Sequence, residues 1–120
     1  MEIKDSKSLA LAKQFLGKEV EVVFDRPLGS KHPKHGFVYE VNYGYINGVS
    51  APDGEDLDAY YLGNDRPLQK ITGIVKAIIH RLDNDDDKLV VTPKDLSVTD
   101  DGIERAVNFQ EQWFKHQILR

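Results

Sequence analysis

Two neighbouring stretches decide the fold: FVYEVNYGYI at residues 37–46 and DGEDLD at residues 53–58. The first is rich in aromatic and aliphatic residues around Asn42 and Gly44, which is typical of a strand with a bend or bulge. The second stretch is dense in carboxylates, and Gly54 permits a turn. Because crowded carboxylates repel one another, a site that keeps them ionised generally needs a divalent cation. Oxygen ligands favour Mg²⁺ or Mn²⁺ over Zn²⁺, and a solvated acidic turn is the alternative.

The residues on either side predict several short strands with a helix at each end. Alternating polar and apolar residues, or apolar β-branched runs, predict the strands. Helical spacing predicts an N-terminal helix that ends at Gly17 and a C-terminal helix from Thr99 through Ile118. We therefore expect an α+β, mainly β fold: a small OB-like barrel of about five strands with an N-terminal and a C-terminal helix. The predicted strands are residues 19–24, 37–46, 59–62, 71–79 and 88–92.

Composition predicts one soluble domain that spans residues 1–120. The chain has 120 residues, of which 40% are hydrophobic, and it contains no cysteine. It has no apolar run near the roughly 20 residues of a membrane span, and its first residues lack the pattern of a secretory signal. The net charge of -4 lacks the basic excess of most nucleic-acid binders. We therefore expect a cytoplasmic protein that binds neither membrane nor nucleic acid.

The charge is unevenly distributed along the chain. Residues 53–58 and 83–87 hold eight of the 20 acidic residues, which leaves 12 acidic against 16 basic residues elsewhere. Residues 29–36 form a compact basic loop whose lysines and histidines can hold phosphate oxygens. Taken alone, each cluster is also compatible with an ordinary solvated loop. Together, two acidic segments and one basic loop suit a metal-bridged phosphate ligand.

The sequence resembles the soluble family I inorganic pyrophosphatases. The main match is the Asn-Tyr-Gly segment at 41–48 followed by the acidic signature at 53–59. Further matches are the Asp-x-Lys strand at 86–93 and a weaker one at 24–31, so the resemblance covers about residues 20–95. It implies Mg²⁺-dependent hydrolysis of inorganic pyrophosphate to two phosphates by a metal-activated water, with Mn²⁺ as a substitute. Family members assemble, so a homo-oligomer is a further implication.

The resemblance also implies a role for each matching residue. Lys115, after Phe114, resembles an aromatic-Lys pair of the family that binds the leaving phosphate. The implied metal ligands are Asp25, Asp53, Glu55, Asp58 and Asp86. The implied substrate-binding residues are Lys31, Lys34, Tyr43, Lys88 and Lys115. The implied catalytic residues are Asp53, Glu55, Asp58 and Lys88, with Glu55 as metal ligand or general base.

Three departures from the family pattern concern the site. The hairpin that carries a phosphate-binding Arg in the family is missing, and its task would fall to the basic loop at 29–36. Glu55 stands where the family has the shorter Asp. The metal-binding Asp that the family has at the end of a strand falls near Ile79 or His80, where His80 or Asp83 would have to compensate.

These departures leave two alternative functions open. The first is a non-catalytic or differently specific metal-dependent module that binds a small phosphorylated ligand. The second is oligonucleotide binding, since Tyr39, Tyr43 and Tyr45 alternate along one predicted strand and can stack on bases. The aromatic residues of the C-terminal helix, Trp113 among them, are expected to pack on the barrel.

Overall fold

The structure is a computed structural model that describes residues 7–50, 56–82 and 86–120. Within these ranges, no helix is both long enough and apolar enough to cross a membrane. The described elements, in chain order, are α1 (Lys7–Lys13), β1 (Glu19–Arg26), β2 (Asn42–Ser50), β3 (Asp56–Tyr61), β4 (Lys70–Arg81), β5 (Lys88–Thr92), α2 (Asp100–Glu111) and β6 (His116–Leu119).

Five strands close into a barrel in the order β1-β2-β3-β5-β4, and β4 pairs back to β1. Strands β3 and β5 run parallel, whereas the other neighbouring pairs run antiparallel. The long strand β4 also pairs with β6, which lies outside the closed ring. The expected fold is therefore confirmed: a mainly β structure with a five-stranded barrel and a helix towards each end of the chain.

Strand β5 is covered on both of its faces. All of its residues are buried. Leu89 and Val91 pack in one core cluster with residues of α1, and Val90 packs in a second cluster with Ile103 and Val107 of α2. A strand buried on both faces has a continuous apolar run rather than alternation, which is what the sequence of β5 shows. Strand β5 is therefore buried between two core clusters, to which α1 and α2 each contribute residues.

The Asn-Tyr-Gly segment has a structural explanation. Asn42 is fully buried, and its side chain accepts hydrogen bonds from the backbone of Leu28 and Leu68 and donates one to the carbonyl of Arg66. A Cβ atom at Gly44 would lie 1.9 Å from the carbonyl oxygen of Val23 on β1. Only glycine fits that close approach between strands. Asn42 thus binds two loops, and Gly44 allows β2 to approach β1 closely. Tyr43 lies between these two residues in the chain.

The C-terminal helix is shorter than expected. Thr99 caps α2 as the spacing predicts, since its hydroxyl oxygen accepts a hydrogen bond from the Gly102 amide. The prediction that the helix continues through Ile118 is wrong, because the chain turns after Glu111 and Ile118 pairs with Ile79 of β4. Pairing with β6 satisfies backbone groups at the end of β4 that would otherwise have no partner.

The aromatic stretch at 37–46 is not one strand. Strand β2 begins at Asn42 and extends to Ser50, beyond its expected end. The residues before it fold back on the basic loop, since Tyr39 exchanges backbone hydrogen bonds with Gly29 and Ser30. This backbone pairing competes with a longer β2, while the side chain of Tyr39 still packs in the core cluster that includes Ile79 and Val90.

His116 joins β6 to α2 through a hydrogen bond whose strength depends on pH. Its Nε2 lies 2.8 Å from Oε2 of Glu104. Burial acts to lower the pKa of His116, but the hydrogen bonds with Glu104 and with the carbonyl of Phe114 raise it overall. A pKa raised in the folded state stabilises the fold fully below the ordinary value of 6.5, and this contribution is lost as the pH rises through the folded value.

Replacing His116 by glutamine is therefore expected to destabilise the fold in acid more than in base. We expect His116→Gln to lower the free energy of unfolding by about 0.5–1 kcal/mol at about pH 5.5 and by less at about pH 9. Urea denaturation followed by circular dichroism at the two pH values measures the difference. An equal loss at both values would contradict the proposed ion pair.

Candidate active site

A cleft of about 980 Å³ opens where β1 and β4 end and β5 begins. Its lining combines carboxylates, basic side chains and aromatic rings. The charged part belongs to strand ends, whereas several of the aromatic rings belong to the loop before β2 and to the connection between α2 and β6. The cleft therefore brings together segments that are far apart in the chain.

The centre of the charged part is Lys88. Only 3% of this residue is exposed. Its Nζ donates to Oδ2 of Asp58 and to Oδ1 of Asp86, each at 2.8 Å. The parallel pairing of β3 with β5 places Ala59 beside Leu89, so that Asp58 and Lys88 start from adjacent strand positions. A buried ammonium needs such partners, because an isolated charge in a low dielectric is strongly destabilised.

Tyr43 orients Asp58 from the neighbouring strand. Its hydroxyl donates to Oδ2 of Asp58 at 2.8 Å. Burial, and then the negative charge of Asp58, raise the pKa of Tyr43 well above its ordinary value. The phenol therefore keeps its proton and acts as a fixed donor. One carboxylate oxygen of Asp58 is thus held by two donors, which sets the direction of the carboxylate.

A second buried cluster supports the first from the side of α2. Arg81 donates from Nε and one terminal nitrogen to Glu111, at 3.0 and 2.8 Å, and Glu111 is fully buried. Tyr60 donates to the same carboxylate at 2.5 Å. The other terminal nitrogen of Arg81 reaches Oδ2 of Asp86 at 3.1 Å, and the guanidinium lies 3.7 Å from the ring centroid of Phe114.

Burial and the charge of Glu111 together set the electrostatics of this second cluster. Burial acts to lower the pKa of Arg81, but hydrogen bonding and the charge of Glu111 raise it overall. The guanidinium therefore remains cationic in the cleft. Burial, followed by the charge of Glu111, raises the pKa of Tyr60 well above its ordinary value. Arg81 thus links a buried carboxylate on α2 to Asp86 in the cleft.

Asp25 and Arg26 line the cleft from the end of β1. Burial raises the pKa of Asp25, Arg26 acts to lower it, and the negative charges of Asp58 and Asp56 raise it further. Three carboxylates, on Asp25, Asp58 and Asp86, therefore face one cleft. Their mutual repulsion favours the presence of a cation beside them.

The structure brings together five of the residues predicted for the site. Asp25, Tyr43, Asp58, Asp86 and Lys88 all line the cleft, although their roles stay predictions.

The remaining predicted residues lie elsewhere. Lys31 and Lys34 are exposed and are not among the lining residues, whereas His32 and His35 of the same loop are. Lys115 is exposed in the connection between α2 and β6, also away from the lining. Asp53, Glu55 and Asp83 lie outside the described residues.

Sequence reasoning missed the arginines of the cleft. The family's metal-binding Asp was expected near Ile79 or His80, but Ile79 is fully buried, and His80 bonds to Asp87 Oδ1 at 2.7 Å. The side chain that enters the cleft from this strand end is the cation of Arg81. Alternation along β4, which places residue 81 on the same face as residue 79, was the available signal. Arg26 at the end of β1 was missed in the same way.

The prediction for Trp113 also needs correction, and the burial of two tyrosines bears on the oligonucleotide alternative. Trp113 was expected to pack on the barrel, but 61% of it is exposed, and it lines the cleft. Tyr39 and Tyr43 are buried and pack against each other with ring centroids 5.3 Å apart. Little of these two rings is exposed, at 2% of Tyr39 and 8% of Tyr43, which disfavours stacking on an oligonucleotide.

The described residues that line the cleft include carboxylates that could hold a divalent cation such as Mg²⁺. Their donors are carboxylate oxygens, which are the ligands that Mg²⁺ prefers. Both oxygens of Asp86 are already bound to cations, Arg81 and Lys88. Within residues 7–50, 56–82 and 86–120, no three acidic or histidine side chains are arranged to hold a metal ion together. The described residues therefore do not complete a metal site by themselves.

The closed barrel and its helices define the fold class, which is that of the inorganic pyrophosphatases. One matching structure is an inorganic pyrophosphatase from Ehrlichia chaffeensis, with a TM-score of 0.65, 16% sequence identity and 85% of both chains covered. Another is an inorganic pyrophosphatase from Neisseria gonorrhoeae, with a TM-score of 0.60 and 21% sequence identity, and the match covers 78% of this chain and 72% of that one. A third, from Helicobacter pylori, has a TM-score of 0.65 and 13% identity, and covers 100% of this chain and 90% of that one. Neither protein-family models nor curated protein sequences give a match.

Proposed function

We propose that this protein hydrolyses inorganic pyrophosphate to two phosphates in a Mg²⁺-dependent reaction. The observation that carries the proposal is the cluster of Lys88 between Asp58 and Asp86, inside a cleft of a chain with the pyrophosphatase fold. Carboxylates that can hold a divalent cation, next to basic groups that can hold phosphate oxygens, are the combination that phosphoryl transfer to water requires. Pyrophosphatases of known structure with this fold support the choice of substrate.

Basic residues of the cleft bind and orient the anion. Lys88 and Arg26 contact phosphate oxygens, and Arg81 neutralises Asp86 so that this carboxylate repels the substrate less. Among the described residues, Arg26 forms no ion pair with a carboxylate; its guanidinium donates to the backbone carbonyl of Asp25. It is therefore the best-placed replacement for the Arg of the missing hairpin. Lys31, Lys34 and Lys115, which do not line the cleft, have at most an outer role in attracting the anion.

The carboxylates of the site hold Mg²⁺ and direct the water. Asp58, Asp25 and Asp86, together with Asp53 and Glu55, form the proposed ligand set, and Tyr43 acts by fixing Asp58. Mg²⁺ held by these carboxylates would supply positive charge against the oxygens of the substrate and would make the attacking water more acidic. Glu55 accepts the proton of the attacking water. The water oxygen bonds to one phosphorus, the bond from that phosphorus to the bridging oxygen breaks, and the bridging oxygen leaves with the second phosphate.

A phosphate-release assay tests this proposal. We expect the purified protein to release phosphate from pyrophosphate with Mg²⁺ and to lose at least about 99% of that rate when a chelator removes the metal. Restoring Mg²⁺ in excess of the chelator is the control, and Mn²⁺ should substitute for it. Absence of metal-dependent release from a folded, pyrophosphate-binding protein would contradict hydrolysis.

A non-catalytic module that binds a small phosphorylated ligand is the second candidate. The pairing of both Asp86 oxygens with Arg81 and Lys88 favours it, since these contacts compete with binding of a metal. Calorimetry that shows tight binding of pyrophosphate without turnover would favour this reading over hydrolysis.

A further inference from the structure

One side of the cleft carries four rings for which pyrophosphate hydrolysis has no use. We call them the aromatic wall: His32, His35, Phe37 and Trp113, all of which line the cleft. The ring centroid of Phe37 lies 4.8 Å from that of His32 and 5.4 Å from that of Trp113. Its plane is within 5° of that of His35 and 32° of that of Trp113. Of these two pairs, only that of Phe37 with His35 is close to parallel, and aromatic faces of this kind can hold a flat group by stacking.

The loop that carries three of the four rings, His32, His35 and Phe37, is held by internal hydrogen bonds. Nδ1 of His32 accepts hydrogen bonds from the backbone amides of Lys34 and His35, at 3.1 and 3.2 Å. The amide of His32 donates to the carbonyl of Phe37, at 2.8 Å. A ring nitrogen that accepts hydrogen bonds carries no proton, so His32 is uncharged in this arrangement. Burial, and then the neighbouring His35, also lower the pKa of His32, which favours the uncharged ring.

Trp113 is the exposed edge of the wall. With 61% of its surface accessible, it is the most exposed large hydrophobic residue of the described chain. A tryptophan left in water forgoes the stabilisation that burial of its large apolar surface would bring. An exposed ring beside other rings in a concave site is a feature of ligand-binding clefts.

A chain of ring contacts connects the wall to the charged part of the cleft. Phe37 lies 5.5 Å from Tyr39, and Tyr39 lies 5.3 Å from Tyr43, between ring centroids. Nζ of Lys88 is 5.7 Å from the ring of Tyr43. The volume of about 980 Å³ is near the upper end of the roughly 300–1,000 Å³ typical of sites for organic ligands, and inorganic pyrophosphate occupies far less.

We propose that the cleft binds a nucleoside diphosphate, with its base on the aromatic wall and its diphosphate at Arg26 and Lys88. Sequence-tolerant stacking of bases on aromatic side chains and pairing of phosphates with basic groups are separate interactions, and this cleft offers both. This inference deepens the proposed function and rests on it for the position of the diphosphate. In the reaction, the oxygen of a water molecule bonds to the β-phosphorus, and the bond from the β-phosphorus to the bridging oxygen breaks. The products are nucleoside monophosphate, which keeps the bridging oxygen, and phosphate, and the protons of the water leave with them.

Fluorescence of Trp113 tests the proposal without turnover, because it is the single tryptophan of the chain. The probes are adenosine 5′-(α,β-methylene)diphosphate and methylenediphosphonate, which share the same non-hydrolysable group and differ in the nucleoside. We expect the nucleoside probe to quench Trp113 and to bind about tenfold or more tightly than methylenediphosphonate, in the presence of Mg²⁺. Equal affinities of the two probes, or equal competition by geranyl diphosphate, would overturn the assignment of a base.

Two variants separate stacking on the wall from general effects. Phe37→Ala should remove the tenfold preference and leave the affinity for methylenediphosphonate unchanged. The control Val38→Ala alters the next residue, which is exposed but does not line the cleft, and should keep the preference. Should Phe37→Ala fail to fold, Trp113→Ala, which alters an exposed side chain, gives the same comparison by calorimetry. Loss of both affinities in the folded variant would overturn the proposal.

The same measurements distinguish this inference from the proposed function. A protein that prefers the nucleoside probe but releases no phosphate from pyrophosphate or ADP would refute hydrolysis and leave the nucleotide site standing. A protein that hydrolyses pyrophosphate but has no preference for the nucleoside probe would refute the nucleotide site and leave hydrolysis standing.

Discussion

Replacing Asp58 by asparagine is expected to slow phosphate release from pyrophosphate by at least about a hundredfold. Asparagine has the same shape as aspartate and retains one acceptor oxygen, but it lacks the negative charge. Asp58 holds Lys88 and accepts from Tyr43 through one oxygen, so its charge sets both the proposed metal site and the position of the lysine. Rates measured over a range of Mg²⁺ concentrations show whether additional metal restores part of the loss.

A matched substitution outside the cleft controls for this change. Asp65→Asn makes the same chemical change at an exposed residue that does not line the cleft, and its rate should equal that of the wild type. Thermal unfolding of Asp58→Asn should remain cooperative, because Lys88 keeps Asp86 as a partner. A folded Asp58→Asn protein with the wild-type rate would refute the proposed active site.

Replacing Glu111 by glutamine is expected to lower the free energy of unfolding by about 3–5 kcal/mol. Glu111 is fully buried and accepts hydrogen bonds from Arg81 and Tyr60. Without its charge, the guanidinium of Arg81 keeps only the carboxylate of Asp86, which is 49% exposed, and glutamine turns one acceptor into a competing donor. The loss would be a large fraction of the roughly 5–15 kcal/mol that stabilises a typical domain. Urea denaturation measures it.

The same helix offers a control and a rescue for Glu111. Glu104→Gln changes a partly exposed carboxylate, 44% accessible, and should cost at most about 1 kcal/mol. The double variant Glu111→Leu with Arg81→Met replaces the buried ion pair by apolar side chains and should recover much of the stability. If Glu111→Gln costs no more than Glu104→Gln, the buried pair contributes little to the fold.

Part of the site could be predicted because neighbouring residues carry its signal. Asp86 and Lys88 are two positions apart at the start of a strand, so alternation sends both side chains to one face. The apolar run of β5 and the alternation of β1 could also be recognised in the sequence, because each pattern reflects which faces of its own strand are buried. The close approach of Gly44 to β1 is also visible in the sequence, because only glycine fits at that position.

Other parts of the site depend on contacts between distant segments. The side chain of Arg81 is held by hydrogen bonds to Glu111, which lies thirty residues later in the chain. Trp113 reaches the cleft because the helix ends at Glu111, and that ending accompanies the pairing of β6 with β4. The helical spacing of apolar residues continues past Glu111 in the sequence, but residues 116–119 form a strand because their backbone pairs with β4.

Periodicity in the sequence predicted the mainly β barrel with a helix towards each end, and the resemblance to a known family grouped Asp58, Asp86 and Lys88 in one predicted site. The entry of Arg81 into the cleft and the presence of the aromatic wall beside the charged residues became visible in the three-dimensional structure. The physical reason is the range of the interactions. Periodicity and turn chemistry act within a few residues and are written in local order, whereas ion pairs and ring contacts form between segments that the closed barrel brings together.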